Sequence, residues 1–99
     1  MARRAARVDA NQTEIVAALR KVGARVAITS ALGGGFPDVL ACLHGRIYML
    51  EIKDGNKPSS ERKLTPAEQR FHDEWAGMVC TVENVTGALI AIGATGVVY

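Results

Sequence analysis

Two β-prone runs, Asp38 to Leu43 and Arg46 to Lys53, are separated only by His44 and Gly45. A two-residue connection containing glycine closes an antiparallel hairpin. Counting outward from it predicts the register: Leu43 faces Arg46, Cys42 faces Ile47, Ala41 faces Tyr48, Leu40 faces Met49, Val39 faces Leu50 and Asp38 faces Glu51. Opposed residues project to the same side of a sheet, with Cβ atoms about 4.5–5.5 Å apart. The carboxylates of Asp38 and Glu51 are therefore expected to converge at the open end of the hairpin. Lys53 shares their face, because side chains alternate with period two along a strand. Like charges placed directly opposite destabilise a sheet, and a divalent cation between them would relieve the repulsion. The plainer reading, a cross-strand ion pair of Glu51 with Lys53 at a sheet edge, leaves the carboxylate pair unrelieved.

Ninety-nine residues make one domain at most. The composition, 48% hydrophobic and 22% charged, is that of a globular chain. A net charge of +2 is mild, but its distribution is not even. Arg3, Arg4 and Arg7 make a basic arm of residues 1–8, and Lys57, Arg62 and Lys63 make a second basic cluster, which permits a polyanionic partner. Cys42 and Cys80 fall in apolar β-prone runs and are expected to be reduced core residues of a cytosolic protein. With no Cys-x-x-Cys spacing, a structural zinc site is not indicated. MARRAARVDA has charge without a following apolar core, so it does not read as a signal peptide, and no apolar stretch is long enough to span a bilayer. A cytoplasmic protein with no membrane contact is expected.

Asp9 can cap a helix over about 10–22 whose buried stripe is Ile15, Ala18, Leu19 and Val22, with Gly23 as the stop. Glu14 neighbours that stripe: it is either a solvated glutamate or the edge of the carboxylate cluster. Arg25 to Thr29 alternates as a strand. Gly33-Gly34-Gly35 then breaks regular structure, serving either as a flexible link or as a place where a large ligand's backbone approaches closely. Pro37 suits the first position of the following strand. Both faces of the hairpin are apolar away from the acidic end, so helices are expected on both sides of the sheet. Residues 54–63 form a polar surface loop. Thr65, Pro66 and Glu68 form a capping-box start for a second helix, in which Phe71 and Trp75 are expected to pack on the sheet. His72 reads as a structural histidine more readily than as a base. Met78 to Glu83 is a fourth strand, Asn84 caps a last helix over about 85–92, and the tail ATGVVY is apolar and β-prone, suited to an edge strand or a subunit contact. The order is α-β-β-β-α-β-α. An antiparallel hairpin followed by a helical crossover to a parallel strand gives an α/β fold with a mixed sheet.

Pro37-Asp38, twelve intervening residues and then Glu51-Ile52-Lys53 resembles the signature of the PD-(D/E)XK nucleases. With an upstream helix carrying Glu14 and a downstream helix opening at Gln69, the layout resembles the small stand-alone VRR-NUC domains found in bacteriophages. The resemblance covers residues 9 to 92. It implies a restriction-endonuclease-like mixed sheet flanked by helices, forming a single domain over residues 9–99. The namesake Val-Arg-Arg stretch is absent. Its place reads Thr81-Val82-Glu83-Asn84, so the role of those arginines would fall to Arg62, Lys63 or Arg70.

The resemblance further implies a Mg²⁺-dependent endonuclease, with Mn²⁺ as a substitute, acting on duplex or branched DNA as a homodimer like the Holliday-junction resolvases, in a bacterial or phage-infected cell. Asp38, Glu51 and the Ile52 carbonyl would hold the ion, since Mg²⁺ takes oxygen ligands and keeps several waters. Lys53 would orient or deprotonate the attacking water, or neutralise charge on the phosphate. Glu14 would bind a second ion or an outer water, and Gln69 would hydrogen-bond the lysine or the substrate. Lys57, Arg62, Lys63, Gly34 and Gly35 would contact DNA. The alternative is a binding module or accessory subunit with the same fold and no turnover.

Overall fold

The computed structural model describes residues 10–94. The expected basic arm 1–8 and the tail beyond Ala94 lie outside the described residues; the first helix starts at Gln12 with Asn11 in the N-cap position, not Asp9, because residues 10 and 11 turn before the helix begins. The elements are α1 (Gln12–Lys21), β1 (Arg25–Ile28), β2 (Val39–Leu43), β3 (Arg46–Ile52), a 3-10 turn (Ser59–Glu61), α2 (Pro66–Glu74), β4 (Val79–Val82) and α3 (Val85–Ala91). They form one four-stranded sheet in the order β1-β2-β3-β4. The first two pairings are antiparallel and the last, across the α2 crossover, is parallel.

The hairpin register is the one counted from the turn, from Leu43 opposite Arg46 to Val39 opposite Leu50. His44 at φ 52 and Gly45 at φ 80 both lie in the left-handed region, which a two-residue turn matching the twist of its strands requires. Past the end of β2 the pairing is extended by Thr29, whose amide donates to the Asp38 carbonyl at 2.8 Å and whose hydroxyl donates to the Pro37 carbonyl at 2.7 Å. The chain is thus fixed on both sides where Asp38 emerges.

Register divides the sheet into two faces. Val39, Ala41, Leu43, Leu50, Ile52 and Val82 are buried beneath Ile15, Val16 and Leu19 of α1 and Ala88 of α3. The opposite face carries Leu40, Cys42, Ile47, Met49 and, at its far end, Glu51. Among the described residues α2 reaches that end, through Glu68 bonded to Lys53 and His72 bonded to Thr81. Ile47 is 69% exposed. The expectation of helices over both faces therefore holds for one face and one end of the other among the described residues, because a nine-residue helix is too short to cover a seven-residue strand and its neighbours. Cys42 and Cys80 are exposed, not core residues: apolar sequence around a cysteine cannot say whether a helix covers it. Phe71 and Trp75 stack on each other at 5.0 Å with Phe36 edge-on to Phe71 at 5.2 Å, and Trp75 stays largely in solvent rather than packing on the sheet.

Candidate active site

Asp38, Glu51 and Lys53 meet at the covered end of the second face. Asp38 Oδ2 accepts a 2.8 Å hydrogen bond from the Ile52 amide, so the first carboxylate is held by the backbone of the strand that carries the second. Glu51 is 2% exposed and Lys53 9%. The Lys53 ammonium lies 3.7 Å from Glu51 Oε2 and 2.8 Å from Glu68 Oε1. Glu51 Oε1 is buried with no hydrogen-bond partner. Asn11, just before α1, donates to the carbonyls of Lys53 and Glu83 and so ties β3 to the end of β4.

Electrostatics follow from this crowding. Burial, then the charges of Asp38 and Glu68, push the Glu51 carboxyl up to about 9. Burial also raises Asp38 above its ordinary value, against the pull of the Ile52 amide. Burial alone would raise Glu68 as well, but hydrogen bonds from Lys53 and the Thr65 amide bring it below the usual carboxylate range. At neutral pH Glu51 holds a proton and hydrogen-bonds Asp38, as paired carboxyls that cannot both ionise must. With Asp38 and Glu68 negative and Lys53 positive, the cluster is net negative, the sign that a cation requires.

A divalent cation fits what is present. A buried carboxyl oxygen without a hydrogen-bond partner, inside a net negative cluster, is an acceptor open to a cation. No group of three or more His, Cys, Asp and Glu forms a complete metal cage among the described residues. Asp38 and Glu51 supply a two-carboxylate set, which suits a hard ion that retains waters better than one that needs a full protein cage.

The other expected residues are placed elsewhere. Glu14 is exposed and lines a shallow depression with Asn11, Asp54 and Glu83. It is not among the charges acting on Asp38 or Glu51. Helix geometry explains this: Gln12 faces inward with Ile15, Val16 and Leu19, and a residue two places on points about 200° away. Gln69 is exposed and donates to Asp73 at 2.9 Å; the partner of Lys53 on α2 is its neighbour, Glu68. Arg62 is committed to Glu83 at 3.1 Å and to the Lys57 carbonyl at 2.8 Å, while Lys57 and Lys63 are exposed. Gly34 has open space around it. At Gly35 a Cβ would stand 2.2 Å from the Ala67 carbonyl oxygen, so that glycine serves the packing of the loop on α2. His72 bonds the Glu68 carbonyl and the Thr81 hydroxyl through its two ring nitrogens, a structural arrangement.

Two residues were not singled out by sequence. Glu68 was hidden by its capping-box role. Gln12 is 5% exposed, its amide nitrogen 3.4 Å from the Ser30 hydroxyl and its Oε1 unpartnered. Its signal was available: a polar residue in register with the apolar stripe of α1.

No family model and no curated protein matches this sequence. Among solved structures, a VRR_NUC domain matches with a TM-score of 0.61 and 23% identity, over 88% of this chain and 99% of that one. The mixed sheet with its flanking helices thus shares the overall fold of that structure: this chain is folded like a VRR_NUC domain.

Proposed function

We propose that the protein is a metal-dependent nuclease that hydrolyses phosphodiester bonds within DNA. The observation that carries this reading is the meeting of Asp38, Glu51 and Lys53 in one largely buried cluster, with one Glu51 oxygen unpartnered. Likeness to a solved VRR_NUC domain supports it. Asp38, Glu51 and the Ile52 carbonyl would hold Mg²⁺, or Mn²⁺ in its place; the ion supplies charge neutralisation and Lewis-acid polarisation at the scissile phosphate. Asp38 is pre-aimed by the Ile52 amide, so little reorganisation is needed at that ligand. Glu51 would have to be ionised to hold the ion, its proton passing to solvent, because metal ligation requires the carboxylate form. Lys53, in a site from which water is largely excluded, orients the attacking water or neutralises charge on the phosphate, where an ammonium acts more strongly than in bulk solvent.

Lys57 and Lys63 would grip the DNA backbone, and Gly34 offers the open side of the glycine loop. We propose further that two copies act together on branched DNA. Ninety-nine residues span only a short length of duplex, and the open half of the second sheet face, around Cys42 and Ile47, gives a partner copy an apolar surface. No helix among the described residues is long and apolar enough to cross a membrane.

The test is cleavage of linear, flapped and four-way DNA in Mg²⁺, Mn²⁺ or EDTA, with light scattering for the dimer. Asp38→Ala and Lys53→Ala should each abolish metal-dependent nicking without unfolding the protein; normal cutting by either variant rejects the site. If the wild type cuts no substrate with either metal but binds DNA with a steep loss of affinity in salt, the binding-module reading replaces the enzyme.

A further inference from the structure

We propose that Glu68 is the positioning residue that aims the Lys53 ammonium, so that the cap of α2 is built into the reaction centre; this rests on the nuclease reading above. Lysine is a flexible four-carbon stem with a point charge, and fixing it costs rotamer freedom. Something must therefore hold it. Glu51, two residues away on the same strand, stands 3.7 Å from the ammonium, whereas Glu68 Oε1 stands at 2.8 Å, a charge-assisted hydrogen bond.

Glu68 is itself held from two directions. Its Oε1 also accepts the Thr65 amide at 2.9 Å, and its own amide donates to Thr65 Oγ1 at 3.2 Å, the reciprocal capping box. The first turn of α2 is seated in turn against Gly35, where an added Cβ would lie 2.2 Å from the Ala67 carbonyl oxygen and 2.9 Å from the Glu68 amide nitrogen. That loop leads through Phe36, edge-on to Phe71 of α2, directly into Asp38. One oxygen of Glu68 thus joins the helix cap to the lysine, while the loop before Asp38 fixes where that cap stands. A glutamate that only capped the helix would have no reason to be 20% exposed and bonded to a buried ammonium.

The experiment measures Mg²⁺-dependent cleavage by the wild type, Glu68→Ala, Glu68→Asp and Thr65→Val, below the Tm of each. Glu68→Ala should lower kcat about 10–100-fold, the usual cost of losing a group that orients a catalytic one, with KM for DNA changed less than twofold. Glu68→Asp keeps a carboxylate in the first helical turn but is one methylene too short to serve both partners, so kcat should again fall about tenfold in a folded protein. Thr65→Val removes the cap hydroxyl but leaves the Thr65 amide on Glu68 Oε1 and leaves the lysine's partner, so Tm should fall while kcat falls less than in Glu68→Ala. Wild-type kcat in Glu68→Asp, or a kcat loss in Thr65→Val matching that in Glu68→Ala, overturns the positioning role while the nuclease stands. A wild type that cuts no DNA overturns both.

Discussion

Glu51→Gln isolates the chemistry of the site from its packing. Glu51 is almost fully buried and its carboxyl titrates near 9, against an ordinary value of 4.5. A carboxyl raised in the folded state binds its proton there and loses it on unfolding. Its contribution to stability is therefore complete below about pH 4.5 and declines as pH rises toward 9. Folding at pH 7 includes protonating a group whose ordinary value of 4.5 lies about 2.5 units below the solution, at ~1.4 kcal/mol per unit: about 3 kcal/mol. Glutamine has nearly the shape of the protonated acid and bears no such cost. In EDTA, Glu51→Gln should thus be more stable than wild type by about 3 kcal/mol at pH 7, with a difference that shrinks toward zero near pH 4.5 and grows by ~1.4 kcal/mol per unit above it. Urea unfolding of both proteins at pH 5, 6, 7 and 8 measures this directly, and titrating groups other than Asp38, Lys53 and Glu68, which interact with Glu51, cancel in the comparison. Mg²⁺ at about a hundred times its Kd should then stabilise the wild type by about 2.7 kcal/mol and leave the variant, which should also be inactive, unmoved. A difference between the two proteins that stays constant from pH 5 to 8 would refute the assignment of a buried, protonated Glu51.

Further outcomes follow from the packing. Gly35→Ala forces a side chain onto the Ala67 backbone at φ +82 and should lower both the urea midpoint and cleavage; Gly34→Ala, with open space at φ +65, should cost only the ~1–2 kcal/mol of left-handed backbone in urea unfolding. Leu50→Ala empties a fully buried position beneath α1 and should cost ~2–5 kcal/mol in urea unfolding with the site chemistry intact. Glu83→Gln releases the Arg62 guanidinium beside Lys57 and Lys63, so DNA binding should tighten at low salt and its salt dependence steepen by about one phosphate contact, read by fluorescence anisotropy across a salt series.

The Arg62–Glu83 pair also fixes the polar loop between β3 and α2. Arg62, from that loop, reaches across to Glu83 at the end of β4. The Gly55 amide bonds the Glu83 carbonyl as well, so the polar loop is pinned to the end of β4 and presents its lysines from a fixed base.

Local rules carried far in this chain. A two-residue turn leaves one register, and that register alone brought Asp38, Glu51 and Lys53 to one face. The cap of α2 at Thr65 and of α3 at Asn84 were legible because a side-chain oxygen and an amide three residues later lie within reach whatever the rest of the fold does. Element order, and with it the mixed sheet, followed from periodicity. What sequence could not supply was anything dependent on where one element lies against another. Whether α1 turns Gln12 or Glu14 inward depends on how its stripe seats on the sheet. Whether Glu68 or Gln69 meets Lys53 depends on the rotation of α2 about its axis, where one residue is about 100°. The exposure of Cys42, the use of Gly35 and the proton on Glu51 depend on which surfaces are covered. Covalent geometry acts over two or three residues and is written in the sequence there; burial and its electrostatic consequences are sums over atoms distant in the chain, and only the tertiary structure adds them up.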